Sequence, residues 1–223
     1  MTPRDTATAT GTHPIDLEGV WCEVRAGARR GGPALFLDRD GVVVEDTGYL
    51  CRVENIVMVT GAASTIAAAN QRDIPVVLVT NQAGIGRGYF CWEDFAAVQN
   101  EISSRLSALG AQLDAVYACA HHPAGNDAFA HPDHPARKPN PGMILRAAAD
   151  LALDLQGSWL IGDKSIDIEA AKRAGLAGAM LVMTGYGKTE RLQSAALAAA
   201  DFEVRFGQSI AEAVALPILA APL

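Results

Sequence analysis

The chain has 223 residues, of which half are hydrophobic and 6% aromatic, a balance that suits alanine-rich helices around a sheet. This length predicts one domain with a full-sized core. The formal charge of -7, from 18 basic and 25 acidic residues, argues against a nucleic-acid-binding or anionic-membrane surface. The four cysteines lack the dense spacing of a disulfide scaffold, as expected of a cytosolic protein. We expect a small-molecule partner, and a monomer or small homo-oligomer.

The first 33 residues are poorly patterned. Met1–Gly11 is rich in threonine and has no apolar core, which is not the composition of a signal peptide. The alanine-rich C-terminal region is interrupted by charged residues and a proline, so we expect no bilayer span and a cytoplasmic protein. We interpret residues 1–33 as an N-terminal tail or arm, with a short strand near Val20–Val24, and residues 34–223 as the main domain.

The rest of the chain alternates predicted strands with predicted helices. Short runs of buried character predict strands at Leu35–Leu37, Pro75–Thr80, Leu113–Cys119, Ser158–Ile161, Ala179–Met183 and Phe202–Phe206. Helices are predicted at Ala62–Gln71, Trp92–Leu109, Asn140–Leu153 (with Asn140 as N-cap) and from Ser165 to Gly175. The last forty or so residues add a helix before the strand at Phe202–Phe206 and a closing helix after it. This alternation predicts an α/β fold with a parallel sheet covered by helices on both faces.

Unusual polar motifs follow three of the predicted strands. Asp38 and Asp40 come directly after the first, Thr80–Gln82 ends the second, and Gly162-Asp163 ends the fourth. Two carboxylates two residues apart on an extended segment point the same way and repel, so folding alone gives no reason for them. Because the carboxyl ends of parallel strands form the ligand crevice of such sheets, we expect the three motifs to share one site.

These side chains can support phosphate-ester hydrolysis through an aspartyl nucleophile. Asp38 is the candidate nucleophile, and Asp40 would protonate the leaving group and later accept a proton from water. Asp38, Asp40 and Asp163 are the candidate Mg²⁺ ligands, since this ion prefers carboxylate and carbonyl oxygens. Asp167, one helical turn on, would support the ion through water. The structural alternative is that Asp163 and Asp167 complement a helix dipole.

Phosphate oxygens need donors and a fixed positive charge. Thr80 and the backbone N–H of Asn81 are candidate donors, and Arg87 offers a bidentate partner for phosphate or carboxylate. Lys138, in the segment RKPNPG, could balance the charge of the phosphate and Asp38. The alternatives are a common Thr-Asn turn and a solvated surface lysine.

The motifs DRDG, TNQAGIGRG, RKPNPG and GDKSID together resemble the four motifs of the haloacid dehalogenase superfamily. More narrowly, they are similar to those of its heptose 1,7-bisphosphate 7-phosphatases and histidinol-phosphate phosphatases. The resemblance covers about Ala34–Gly187. It implies a Rossmann-like, doubly wound sheet with no large cap domain, a bound Mg²⁺ and a phosphoaspartate at Asp38. It also implies Asp40 as acid and base, Thr80 and Lys138 at the phosphate, Asp163 at the metal, and Arg87 and Arg137 near the substrate.

One family feature is altered. Members usually carry a Zn²⁺ site, Cys-x-His followed by Cys-x-Cys, just before the Arg-Lys-Pro segment. Here Cys119-Ala120-His121 keeps the first half, but the second half reads His134-Pro135-Ala136. The candidate ligands Cys119, His121 and His134 number three where structural zinc sites use four, with His131 or His122 as substitutes. We therefore do not expect an ordered zinc ion, and expect the loop's prolines to stiffen it instead.

The resemblance favours D-glycero-D-manno-heptose 1,7-bisphosphate, dephosphorylated at position 7 on the route to lipopolysaccharide heptose, over other substrates. Histidinol phosphate or another small metabolite keeps the same chemistry. A polynucleotide 3′-phosphatase would need a basic track that the charge balance does not suggest. A non-catalytic scaffold on the same fold is the alternative from another class, and such a protein would tend to lose part of the set Asp38, Asp40, Thr80, Lys138 and Asp163.

Overall fold

The computed structural model describes residues 13–220, so the first 12 residues of the predicted N-terminal tail lie outside the described residues. Seven strands make up its sheet: β1 (Val20–Val24), β2 (Pro33–Leu37), β3 (Val76–Asn81), β4 (Ala115–Cys119), β5 (Asp154–Gly162), β6 (Gly178–Val182) and β7 (Glu203–Gly207). Its α-helices are α1 (Ala62–Asn70), α2 (Ala83–Gly86), α3 (Trp92–Ala108), α4 (Gly142–Leu151), α5 (Ser165–Ala174), α6 (Gly187–Ala195) and α7 (Pro217–Ala220).

The strands form one sheet in the order β1-β4-β3-β2-β5-β6-β7. Six of them are parallel, and only β1 pairs antiparallel, with β4 at the sheet edge. The chain builds outward from β2 to β3 and β4, then returns to β2's other side with β5 and continues to β7. The ends of β2, β3 and β5 are therefore neighbours at the point where the winding direction changes, which is where ligands bind in open α/β sheets.

Both faces of the sheet are covered, and the strand alternation shows why. In β2, Leu35 and Leu37 face one hydrophobic core, while Ala34 and Phe36 face the other. The first core is filled by α1, α3 and the C-terminal helices, and the second by α4 and α5. Because successive strand residues point to opposite faces, a strand buried on both sides reads as a continuous apolar run. The predicted doubly wound α/β fold is confirmed.

The structure differs from the sequence prediction mainly at element ends. Asn140 is not the N-cap of α4, which begins at Gly142 after Pro141; its side-chain amide instead donates to His134 O and Asp133 Oδ1. The predicted closing helix is a 3₁₀ helix (Ile210–Ala215) followed by the short α7. The short strand predicted at Val20–Val24 is β1, so the sheet crosses the boundary placed at residue 33.

No separate cap domain stands over the sheet within residues 13–220. The segment from Asp38 to Gly61 contains a short 3₁₀ helix (Val53–Asn55), and the segment from Ala120 to Pro141 contains turns. These two loops rise from the carboxyl ends of the central strands. A search of the described helices finds none with the length and apolar character needed to cross a membrane.

Candidate active site

Three central strands end at one place and bring the predicted polar motifs together. Leu37 of β2 is in register with Leu78 of β3 and Ile161 of β5. Asp38 therefore leaves β2 between the end of β3, which carries Thr80, and the end of β5, which precedes Asp163. The Asp38 amide donates to the Ile161 carbonyl at 2.9 Å, which fixes the backbone of Asp38 to the neighbouring strand.

A cluster of three buried carboxylates lies at this edge. Asp38, Asp163 and Asp167 each offer an oxygen within 4.8 Å of the others, and this is the only such acidic, histidine or cysteine group within residues 13–220. Lys138 lies among them and is 3% exposed. Its Nζ is 2.8 Å from Asp38 Oδ1, 2.7 Å from Asp167 Oδ1 and 2.8 Å from the Val79 carbonyl oxygen. The lysine therefore binds two of the three carboxylates.

The third carboxylate lacks such a partner. Asp163 is fully buried, and its Oδ1 has no hydrogen-bond partner among the described residues. Burial, followed by the charges of Asp38 and Asp167, raises the pKa of Asp163 to about 8. An unpartnered buried oxygen between acidic neighbours is costly unless a cation joins it. The carboxylates therefore fit a hard divalent cation such as Mg²⁺.

The Asp40 carboxylate is bound by Arg39 and Gln82. Arg39 donates from Nε and Nη2 to the Asp40 carboxylate at 3.0–3.2 Å, and Gln82 Nε2 donates to Asp40 Oδ2 at 3.2 Å. Burial raises the pKa of Asp40, against the lowering effect of the Arg39 charge. The Asp40 carboxylate is not in the acidic group of Asp38, Asp163 and Asp167, and its role as a magnesium ligand stays a prediction.

The predicted phosphate donors lie beside Asp38. Thr80 is buried at the end of β3, and its Oγ1 accepts from Gln82 Nε2 at 2.8 Å. The Asn81 side chain is occupied by the backbone of Lys138: its Nδ2 donates to the Lys138 carbonyl at 3.0 Å, and its Oδ1 accepts from the Lys138 N–H at 3.1 Å. Asn81 therefore fixes the loop that delivers the buried lysine, a role that sequence reasoning missed.

Arg87 lies at the rim of the crevice rather than at its base. It donates from Nη1 to Tyr49 Oη at 2.9 Å, and its guanidinium carbon lies 5.1 Å from the centre of the Tyr89 ring. Tyr49 and Tyr89 are each about half exposed and pack edge to face. Arg137 is anchored to the loop, since its Nη1 donates to the His121 carbonyl at 3.0 Å.

The structure adds Lys164, which the sequence analysis did not single out. Its Nζ is 3.1 Å from Asp46 Oδ2 and 4.3 Å from the centre of the Tyr186 ring. The residue directly follows Asp163 in the GDKS motif, so its position after β5 was the available signal. Its charge is also one of the few that oppose the raised pKa of Asp163.

Two glycines leave room for the Asp163 side chain. At Gly41 (φ +83°) an added Cβ would lie 2.5 Å from Asp163 Oδ2, and at Gly185 (φ +59°) it would overlap the same oxygen. The Tyr186 N–H, next to Gly185, donates to Asp163 Oδ2 at 2.9 Å. The backbone must approach this closely to hold the carboxylate, and only glycine permits both the approach and the left-handed conformation.

We expect Gly185→Ala to lower the catalytic activity of this site by at least about tenfold, because the new methyl group displaces Asp163 and a small misplacement is costly for catalysis. The matched control is Gly175→Ala, at the C-cap of α5, which also has a positive φ (+80°) but no atom within 4 Å of the added Cβ. Both variants should lose about 1–3 kcal/mol of stability from backbone strain. Equal activity in the two variants would contradict the expected contact with Asp163.

The predicted zinc residues lie close together without forming a ligand set. Cys119 Sγ is 4.0 Å from His134 Nδ1, and the His121 and His134 rings stack with centres 3.8 Å apart. His134 Nδ1 accepts from the Ala136 N–H at 3.1 Å, and His121 Nε2 is 2.7 Å from the Glu18 carbonyl oxygen. One nitrogen of each ring is thus engaged by the backbone, whereas His121 Nδ1 is buried and has no hydrogen-bond partner among the described residues. His131 and His122 complete no group of three ligand atoms within those residues. The absence of an ordered zinc ion therefore stays a prediction.

Comparisons with known proteins identify the family of this chain. A family model described as HAD-hydrolase-like matches residues 135–205. The D-glycero-beta-D-manno-heptose-1,7-bisphosphate 7-phosphatase of Mesorhizobium japonicum is 52% identical over 79% of this chain and 82% of the relative. The D-glycero-alpha-D-manno-heptose-1,7-bisphosphate 7-phosphatase of Burkholderia mallei is 42% identical over 67% of this chain and 79% of its own length.

A solved structure matches the fold. The D,D-heptose 1,7-bisphosphate phosphatase of B. bronchiseptica, determined in complex with magnesium and phosphate, has a TM-score of 0.74 and 30% identity, and the match covers 85% of this chain and 99% of that one. The family and fold predicted from the four motifs are confirmed. The chain belongs to the haloacid dehalogenase-like hydrolases, in the phosphatase family of the heptose-1,7-bisphosphate 7-phosphatases.

Proposed function

We propose that this enzyme removes the 7-phosphate of D-glycero-D-manno-heptose 1,7-bisphosphate through a phosphoaspartate at Asp38. The observation that carries the chemistry is the buried lysine, because Lys138 binds Asp38 and Asp167 directly and supplies fixed positive charge where phosphate would join the cluster. The substrate is supported by the heptose bisphosphate named for the relatives described above. Those names include both anomers, so no anomer is assigned.

Each active-site residue has a role in the proposed hydrolysis. Asp38 Oδ attacks phosphorus, and the bond from phosphorus to the sugar oxygen breaks. Asp40 gives its proton to the departing alkoxide, then takes a proton from the water that attacks the phosphoaspartate. Thr80 and the Asn81 N–H donate to phosphoryl oxygens, while Lys138 offsets their charge throughout. Arg87 and Arg137, at the rim and in the loop before Lys138, contact the remainder of the substrate.

The proposed reaction also uses a divalent cation. Asp38, Asp163 and a backbone carbonyl of the Asp40 segment would hold Mg²⁺, with Asp167 supporting it. When bound, Mg²⁺ supplies positive charge that stabilises the oxygens of the transferring phosphoryl group. We further propose that the enzyme acts in the cytoplasm on this soluble sugar phosphate, and that zinc takes no part in the reaction.

We expect the apparent affinity for Mg²⁺ to rise with pH up to about 8, because the raised pKa of Asp163 means that binding must displace a proton below that pH. The stability of the metal-free protein changes with pH in the opposite direction. The folded-state pKa exceeds the unfolded value, so the metal-free protein binds more protons than the unfolded chain, and it loses stability as pH rises from about 4 towards 8.

Calorimetric titration with Mg²⁺ near pH 6, 7 and about 8, in buffers of different ionisation enthalpy, measures both the affinity and the released proton. An affinity that stays constant over this range, with no proton released, would contradict the linkage. Thermal unfolding with and without Mg²⁺ provides the companion measurement, and the stabilisation by Mg²⁺ should be larger near pH 8 than near pH 6.

The proposed substrate is tested by turnover on a panel of phosphomonoesters with and without Mg²⁺. The panel contains both anomers of the heptose bisphosphate, heptose 1-phosphate, histidinol phosphate and a 3′-phosphorylated oligonucleotide. We expect kcat/KM to be highest for one heptose bisphosphate, with the 1-phosphate left on the product. Faster turnover of histidinol phosphate or of oligonucleotide ends would show that the heptose bisphosphate is not the substrate. A lack of hydrolysis across the whole panel would favour a scaffold.

A further inference from the structure

Arg39 separates the two catalytic carboxylates in the sequence but faces away from solvent. Its side chain is 1% exposed, which is rare for arginine unless its charge is paired. The Arg39 charge is paired with the Asp40 carboxylate. Arg39 Nε lies 3.1 Å from Asp40 Oδ1 and 3.2 Å from Asp40 Oδ2, and Arg39 Nη2 lies 3.0 Å from Asp40 Oδ2. The proposed chemistry assigns Asp40 both proton transfers and leaves this arginine without a role.

Gln82 forms hydrogen bonds with both Arg39 and Asp40. Its side chain is 3% exposed, and its Oε1 accepts from Arg39 Nη2 at 3.2 Å while its Nε2 donates to Asp40 Oδ2 at 3.2 Å. A guanidinium can only donate and a carboxylate can only accept, so these neighbours fix which end of the amide faces each. The same Nε2 donates to Thr80 Oγ1 at 2.8 Å, which ties the acid to the phosphate-binding strand.

The donors are distributed unequally over the Asp40 carboxylate. Oδ2 receives Arg39 Nε, Arg39 Nη2 and Gln82 Nε2, whereas Oδ1 shares only the Nε–H of Arg39. A carboxyl group carries its proton on the oxygen with fewer donors, since a protonated oxygen has less electron density to offer them. Oδ1 is therefore the oxygen available for proton transfer.

The arginine itself rests on a packed aromatic group. Its guanidinium carbon lies 5.4 Å from the centre of the Phe95 ring. Phe95, in α3, packs edge to face with Trp92 and with Trp21 of the edge strand β1, at centroid distances of 5.5 and 5.1 Å. Aromatic pairs of this kind hold a defined geometry. The guanidinium therefore has a fixed base from which to orient Asp40.

We propose that Arg39 and Gln82 are positioning residues that anchor the Asp40 carboxyl group by Oδ2 and present Oδ1 to the sugar oxygen. This inference rests on the proposed function, because it presumes that Asp40 transfers the proton. As the bond from phosphorus to the sugar oxygen breaks, the proton on Oδ1 moves to that oxygen. In the second step a water oxygen bonds to phosphorus, its proton moves to Oδ1, and Asp38 leaves as a carboxylate.

The effect of misplacing Asp40 on the rate should depend on the leaving group. A sugar alkoxide is a strong base and needs the proton, whereas 4-nitrophenolate leaves without it. General acid catalysis contributes about 10²–10⁴-fold where it is needed. Misplacing Asp40 should therefore slow formation of the phosphoenzyme from a sugar phosphate and leave its formation from 4-nitrophenyl phosphate nearly unchanged. A general loss of structure would slow both alike.

The experiment measures the first turnover in the pre-steady state, at saturating substrate, for Gln82→Leu and Arg39→Met with the heptose bisphosphate and with 4-nitrophenyl phosphate. We expect heptose product formation to fall about tenfold in Gln82→Leu and about 10²-fold in Arg39→Met. The first release of nitrophenolate should change by less than about threefold in both, although later turnovers slow because Asp40 also serves as the base. Saturation separates this effect from any change in KM that follows loss of the Thr80 contact.

Arg29→Met is the matched control, because Arg29 forms an ion pair with the buried Asp114 at the start of β4, at the opposite edge of the sheet. This variant should be less stable than wild type, and its rates on the two substrates should change by the same small factor. If Gln82→Leu lost the same fraction of its rate on both substrates, the inference would be wrong. If Arg39→Met does not fold, the result for Gln82→Leu decides alone. A wild-type enzyme that hydrolyses 4-nitrophenyl phosphate but no sugar phosphate overturns the proposed function and this inference with it.

Discussion

Asp38→Asn should lower turnover of a phosphomonoester by at least about 10⁴-fold, because an amide cannot form the phosphoenzyme and removal of a covalent nucleophile has effects of this order. The change is nearly isosteric and keeps an oxygen that can accept from Lys138 Nζ, now 2.8 Å from Asp38 Oδ1. The fold should therefore be retained. Steady-state kinetics and a circular dichroism spectrum measure the two effects separately.

Deamidation of the new asparagine would restore wild-type enzyme, so the intact mass of the variant is checked before and after the assay. Asp38→Glu is the companion variant, since it keeps the charge and moves the carboxylate by one methylene. It should also lose most activity, because the attacking oxygen must be held within a few tenths of an ångström of its position. A folded Asp38→Asn protein with more than about a tenth of wild-type turnover would remove Asp38 from the mechanism.

Lys138→Met should be the most destabilising single change at the site. The lysine is 3% exposed and lies between Asp38 and Asp167, so its loss leaves two buried carboxylates without their cation. Removing one partner of a buried ion pair costs about 3–5 kcal/mol, and we expect the free energy of unfolding to fall by that amount. Turnover should fall by about 10²–10³-fold, as for loss of an electrostatic stabiliser.

Urea denaturation of Lys138→Met with and without Mg²⁺ measures this effect, and Mg²⁺ should recover part of the lost stability because it brings positive charge back to the cluster. Lys172→Met is the surface control, since Lys172 is exposed and its Nζ reaches only the Leu197 carbonyl. That variant should stay within about 0.5 kcal/mol of wild type. A Lys138→Met protein as stable as the Lys172→Met control would show that the buried lysine does not offset the carboxylates.

The parts of the site that the sequence predicts are those that follow strands. Asp38, Thr80 and Asp163 each stand at the end of an apolar run, and parallel strands bring such ends to one edge. Lys138 was harder to place, because it lies in a loop and a solvated lysine is the common case. Its burial depends on Asn81, which binds the Lys138 backbone through two hydrogen bonds, and no local pattern indicates that contact.

The missed features depend on tertiary contacts between distant segments. Gln82 and Arg39 are 43 residues apart, and the orientation of Asp40 becomes visible only when β2 and β3 are adjacent. The α4 N-cap was misplaced for a similar reason, since Asn140 is drawn to the histidine loop by His134 and Asp133. The closing helix became a 3₁₀ segment and one short turn, which periodicity alone does not distinguish from an α-helix.

Acid quenching during turnover of the heptose bisphosphate, followed by peptide mapping by mass spectrometry, tests the central claim most directly. The account predicts a phosphoryl group on the Asp38 side chain, present during turnover in wild-type enzyme and absent from Asp38→Asn. A phosphoryl group trapped on any other side chain of the active enzyme would contradict it.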